Sequence, residues 1–183
     1  TRGSIGKGFV IGLIGVFMLL SFLFRSYVEP ILVMITIPMG IIGVIWGHML
    51  MGLDLSMPSI LGFASLAGVV VNNAILMVEF IKIQRRAGDS VVEAAKHASR
   101  MRFRAILLTS TTTIVGLLPL LTETSLQAQV LIPLVTSLSF GLLTSTLLVL
   151  IMLPAMYTIF DDFGLTAKIE LEGEVAAAIQ PAK

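Results

Sequence analysis

The side chains best equipped for chemistry in this sequence are Asn72, Asn73, Arg102, Thr109 and Thr113, with Glu79 as a candidate charge partner. Asn72 and Asn73 interrupt an otherwise apolar string, Gly68 to Leu76 (GVVVNNAIL). If Glu79 and Lys82 mark one edge of a membrane, Asn72 lies about 10–15 Å inside it at a helical rise of about 1.5 Å per residue. Polar groups at that depth are costly and mark ion or proton pathways by default. Neighbouring helical residues diverge by about 100°, so one asparagine is expected to face a functional interior and the other a neighbouring helix. The plainer alternative makes both of them interhelical glue, worth about 0.6 kcal/mol each.

A second polar group follows Arg100, Arg102 and Arg104: the run Thr109-Ser110-Thr111-Thr112-Thr113. Thr109, Thr113 and Gly116 share a helical face, and Arg102 lies two turns before Thr109 on the same stripe. A cation at a channel mouth with hydroxyls beyond it suits proton or ion passage. The competing reading takes Arg102 as a topological anchor and the threonines as hydroxyls bonded to their own helix. Glu79 could pair with Lys82 or Arg102. His48 and His97 have no partner at ligand spacing, and there are no cysteines, so no metal, thiol chemistry or cofactor is expected.

These residues need elements to hold them, and composition says which. Apolar residues make up 56% of the 183 and charged residues 13%, against about 25% charged in a soluble domain; mean hydropathy is +1.00. No Lys, Arg, Asp or Glu occurs in Gly8–Phe24, Pro30–Leu53, Leu55–Val78, Ala105–Thr122 or Thr124–Phe160. A membrane crossing takes about 20 apolar residues. The first four runs therefore fit one crossing each, and the longer fifth holds one span after a polar loop with Thr124, Ser125, Gln127 and Gln129. The expected fold is an all-α membrane bundle of five transmembrane helices, at about 7–25, 30–51, 56–81, 104–122 and 133–158. Ser90-Val91-Val92-Glu93 fits a capping box, with Asp89 as a second cap candidate, and predicts a short interfacial helix over 90–100. Residues 1–6 are expected to end a preceding exported region, and 161–183 to form a flexible cytoplasmic tail.

Charge sets the expected direction. The segment Ile81–Arg104 holds Lys82, Arg85, Arg86, Lys96, Arg100, Arg102 and Arg104, and the loop after the first span holds Arg25. The other two loops carry only Asp54 and Glu123. Positive residues select the cytoplasmic side, so the N-terminus is expected outside and the C-terminus inside. Arg2 and Lys7 run against that rule, as they can when a large preceding domain is exported. A net charge of +1 offers no basic field for nucleic acid; the bilayer is the expected partner. Small residues predict close helix contacts: Gly40, Gly43 and Gly47 in the second span, Ala64 and Gly68 in the third, Ser137, Gly141 and Ser145 in the fifth.

The string Gly68–Phe80 (GVVVNNAILMVEF), followed by Arg100-Met101-Arg102-Phe103-Arg104 and Leu107-Leu108-Thr109-Ser110, resembles the C-terminal membrane half of resistance-nodulation-division (RND) efflux permeases. Phe24-Arg25-Ser26-Tyr27, Pro30, Pro38 and Leu153-Pro154 fit the same pattern, and the resemblance runs over roughly residues 5–160. It implies spans eight to twelve of a twelve-span, proton-driven antiporter of the bacterial inner membrane that exports hydrophobic or amphipathic compounds. It also implies a homotrimer, a periplasmic adaptor and an outer-membrane channel, with the proton motive force in place of a cofactor. By resemblance Thr109 is the relay threonine and Arg102 the arginine of the cytoplasmic entrance. The family's relay lysine falls on Asn72, a departure, because an amide supplies no cation to a carboxylate pair. Two alternatives remain in view: a protein-translocation accessory of the same superfamily, and a membrane scaffold without transport.

Overall fold

A computed structural model describes residues 2–164, apart from the side chains of Arg2 and Ile5. The chain forms α1 (Arg2–Phe24), α2 (Val28–Met51), α3 (Met57–Arg86), α4 (Val91–Leu121), the single turn α5 (Leu126–Gln129) and α6 (Ile132–Asp162). All but α5 are long and apolar enough to cross a membrane. In lipid every backbone amide must be satisfied within its own segment, which leaves helices as the economical solution for these sequences. The tight turns come from local chemistry. Gly52 closes α2 with φ +62° and donates its N–H to His48 and Met49 carbonyls, while Gly88 takes φ +102° between α3 and α4.

Five crossings joined by short connections alternate in direction, so each end of the bundle collects particular loops. One end, called the basic end below, holds Arg25, the α3–α4 turn and the finish of α6. The opposite end holds the α2–α3 loop and residues 122–131. The hub is α6, which packs against α2, α3 and α4, whereas α1 leans mainly on α2. Within the crossing segments 56% of α6 is buried but only 11% of α1 and of α4. Much of α1 and α4 therefore faces out of the bundle.

Glycine sets the hub's packing. A Cβ on Gly47 would lie 2.5 Å from the Phe140 Cβ, and one on Gly43 would meet the Phe140 carbonyl and sit 2.6 Å from Thr144 Oγ1. Gly62 of α3 is pressed against the Leu134 carbonyl and Ser137, and Gly141 against Leu66 and Val44. The expected ridge of α2 is thus a contact surface. That of α3 lies elsewhere: Gly68 meets nothing within 4 Å, and Gly62, on another face, makes the close approach.

The helix expected over 90–100 is the beginning of α4, continuous with the crossing that follows. Ser90 caps it, its Oγ accepting from the Glu93 N–H at 3.4 Å. The Glu93 carboxylate turns instead to Lys96 at 3.1 Å. No proline or glycine interrupts residues 91–115, so nothing forces a break at the membrane surface. At the other end, α6 runs on through Asp162, and Asp161 is helical and ion-paired with Arg85 at 3.0 Å. The remainder of the expected tail, 165–183, lies outside the described residues, as does Thr1.

Candidate functional site

Helix geometry separates the two asparagines as their 100° offset requires. Asn73 is 8% exposed and turned into the bundle, where it forms no side-chain hydrogen bond to any described residue. Asn72 is exposed, on one face with Gly68 and Ser65. Spacings of three and four residues place that face along the full middle of α3.

On α4 the threonines behave as membrane hydroxyls do. Thr109 Oγ1 donates to the Ala105 carbonyl at 2.9 Å, Thr112 Oγ1 to Leu108 at 2.9 Å, and Thr113 Oγ1 to Thr109 at 2.8 Å. All three side chains are exposed. Because each hydroxyl proton is committed to its own helix, what remains outward is lone pairs. Thr109 and Thr113 can therefore accept a hydrogen bond but have no free proton to give. The hydroxyl that faces inward is Ser110, 3% exposed, whose Oγ lies 2.7 Å from Thr146 Oγ1 of α6. That pair ties α4 to the hub and fixes which face of the threonine run points away.

Arg102 sits one helix apart from Phe80, its guanidinium carbon 5.0 Å from the ring centroid. The contact is a cation–π stack. Arg102 has no ion pair among the described residues, and its Nε is buried without a hydrogen-bond partner. Glu79 likewise has none, since Lys82 reaches Glu29 of α2 at 3.0 Å and Arg102 reaches an aromatic face. The pairing suggested by sequence neighbourhood gives way to one across 53 residues, because Lys82 is turned into the bundle while Glu79 is only half-buried.

Asn72, Thr109, Thr113 and Arg102 are thus brought to the surfaces of adjacent helices, with a mobile proton on none of the hydroxyls and a cation at the basic end. Asn73 is not part of that surface. Such a face can receive a protonated carboxyl or a carboxylate from another helix: the amide both donates and accepts, the threonine oxygens accept, and the arginine compensates charge.

Two polar clusters escaped the sequence reading. One is the Glu29–Lys82 pair. The other is His48, buried at the opposite end, with Nδ1 2.9 Å from the Val44 carbonyl and Nε2 2.7 Å from Ser59 Oγ. Ser59 also accepts from the Ser56 N–H at 3.1 Å, and Ser137 Oγ donates to the Ser59 carbonyl at 3.0 Å. The signal for the first was Glu29 standing alone between two uncharged runs. For the second it was His48 and Ser59 standing on either side of a short loop, at the end of α2 and the start of α3. Among the described residues no group of His, Cys, Asp or Glu is placed to hold a metal ion.

The sequence model of the AcrB/AcrD/AcrF family matches residues 4–161. The match takes in all five crossing helices and both polar faces of α3 and α4. An all-helical, multi-pass membrane chain matched over most of its length in this way belongs to the AcrB/AcrD/AcrF family, and is an RND-type transporter rather than an enzyme.

Proposed function

We propose that these five helices are the C-terminal transmembrane segment of a proton-driven RND efflux permease that exports hydrophobic or amphipathic compounds across the bacterial inner membrane. The observation that carries the reading is the polar stripe itself. Asn72, Thr109 and Thr113 stand exposed on adjacent helices, the two threonine hydroxyls bonded only within their own helix, and Arg102 stands near the basic end with no carboxylate among the described residues. In this reading the N-terminal half of the same permease covers the stripe and brings the titrating carboxylates. Protonation there removes a charge from a buried site and lets the helices repack, shifting a population rather than pushing a lever. Without a lysine at position 72, two carboxylates facing Asn72 would share a proton, because like charges at close range cannot both ionise. The permease would work as a homotrimer with a periplasmic adaptor and an outer-membrane channel.

Hydrogen bonds to charged groups are worth about 1.5–3 kcal/mol. Thr109→Ala and Asn72→Ala in the full-length protein should therefore slow proton-coupled export roughly tenfold or more. The assay is export driven by an imposed pH gradient in proteoliposomes, with insertion checked separately. Wild-type rates from correctly inserted variants would sink the relay.

Orientation has its own test. These 183 residues hold no cysteine, so Ala87→Cys at the basic end and Thr124→Cys at the opposite end give single reporters once any cysteine elsewhere in the full-length protein is replaced. An impermeant maleimide added to intact spheroplasts should label the Thr124 variant only. Labelling of the Ala87 variant alone would reverse the proposed direction.

A further inference from the structure

Pro154 of α6 has no N–H, so the Leu150 carbonyl four residues earlier lacks its helical donor. Ser99 of α4 fills that gap, its hydroxyl donating to the Leu150 oxygen at 3.3 Å. Around this contact the two helices leave an open groove of about 370 Å³, floored by Val92, Leu150, Pro154 and Ala155. Lys96 and Arg100 line it as well. They stand one helical turn apart on the exposed face of α4, at the basic end, and Arg104 continues the stripe a turn deeper.

The charges do not cancel. Arg100 has no acidic partner among the described residues. Lys96 meets Glu93, but both are more than 60% exposed, and such a surface pair is worth little and rearranges easily. Asp162 lies a turn beyond Thr158 on α6 and does not line the groove. Moving away from the basic end, Phe103 and Leu107 on α4 and Leu147 on α6 are exposed, with Arg104 the one cation among them. Two cations at the edge of a membrane span, above an apolar track running toward the membrane centre, match a phosphate headgroup with an acyl chain below it. Basic pockets between helices at a membrane surface bind anionic lipid by this arithmetic.

We infer that the α4–α6 groove is a binding site for an anionic glycerophospholipid, with its phosphate held by Lys96 and Arg100 and one acyl chain lying along Phe103, Leu107 and Leu147. The site is separate from the polar stripe and needs only that these helices lie in a bilayer, so it stands apart from the transport reading.

The test uses full-length protein with Ile151→Cys, an exposed position beside the groove, carrying a bimane label in phosphatidylethanolamine vesicles. Quenching by brominated phosphatidylglycerol is compared with quenching by brominated phosphatidylcholine. Each cation near the surface contributes about 1 kcal/mol, roughly fivefold, so the anionic lipid should be preferred by roughly fivefold to twentyfold. The Lys96→Gln/Arg100→Gln variant should lose the preference, and Lys96→Arg/Arg100→Lys should keep it. Arg86→Gln, at the same end but outside the groove, should keep it too, as should excess inorganic phosphate. Equal quenching by the two lipids overturns the site, as does a preference that survives Lys96→Gln/Arg100→Gln. Loss of preference in Arg86→Gln would reduce it to a diffuse field. Displacement by inorganic phosphate would make it a free-anion site, and absence of quenching by either lipid would mean that protein covers the groove.

Discussion

Lys82→Met should destabilise the protein by about 3–5 kcal/mol, the cost of breaking a buried ion pair from one side. Glu29 Oε2 receives Lys82 Nζ at 3.0 Å, and the glutamate side chain is fully buried. Its other oxygen, Oε1, is also buried and has no hydrogen-bond partner among the described residues, so Lys82 is the direct partner of this carboxylate. The same ammonium lies 5.3 Å from the Phe24 ring centroid, which joins the end of α1 to the start of α2 and the end of α3. The two single variants should differ. Removing lysine strands a carboxylate with no exposed surface. Removing glutamate leaves a flexible ammonium that is 10% exposed and can extend to the membrane surface. Glu29→Leu is therefore expected to cost about half as much, and Glu29→Leu/Lys82→Met to recover most of the loss, since an apolar pair of similar volume can replace a buried ion pair. The midpoint of unfolding in an SDS titration of the full-length protein in mixed micelles measures this. A Lys82→Met midpoint equal to wild type would remove the pair from any account of stability.

The second large effect is expected at the hub. Gly43→Ala puts a methyl group into the Phe140 carbonyl and 2.7 Å from the Thr144 Cβ. A backbone oxygen cannot rotate aside, so α2 and α6 must separate. Overpacking costs about 1–3 kcal/mol, and here the upper end applies because α6 also carries α3 and α4. Gly62→Ala should behave alike, against the Leu134 carbonyl. Gly15→Ala in α1 is the control: nothing lies within 4 Å of its Cβ, and alanine is the better helix former by about 1 kcal/mol. Its thermal midpoint should match or exceed wild type while the other two fall by several degrees. A Gly43→Ala midpoint that tracks Gly15→Ala would show the seam to be looser than these distances require.

From the sequence alone follow the number of helices long and apolar enough to cross a membrane and the separation of basic loops from loops that carry only Asp54 and Glu123. Those properties follow from one-dimensional quantities: a run of apolar residues must be long enough to span lipid, and charges must stay at its ends. The sequence also marked Asn72, Thr109 and Arg102 as polar groups at unusual places, because polarity inside an apolar run needs no partner to be noticed. Facing and pairing were decided only by the tertiary structure. Which asparagine turns outward depends on how α3 rolls against α6, a choice made by Gly62 and Ser137 rather than by the asparagines. Ser110 and Thr146 roll α4 in the same way and leave Thr109 outside. Lys82 took Glu29, distant in sequence, over nearby Glu79, because an ion pair is chosen by shared burial and not by spacing along the chain. The interfacial helix merged with α4 for a local reason, since nothing between Val91 and Val115 stops a helix once Ser90 has started it. The polar stripe was thus legible as a set of residues, whereas its being an open, unpartnered face required three helices packed around a fourth.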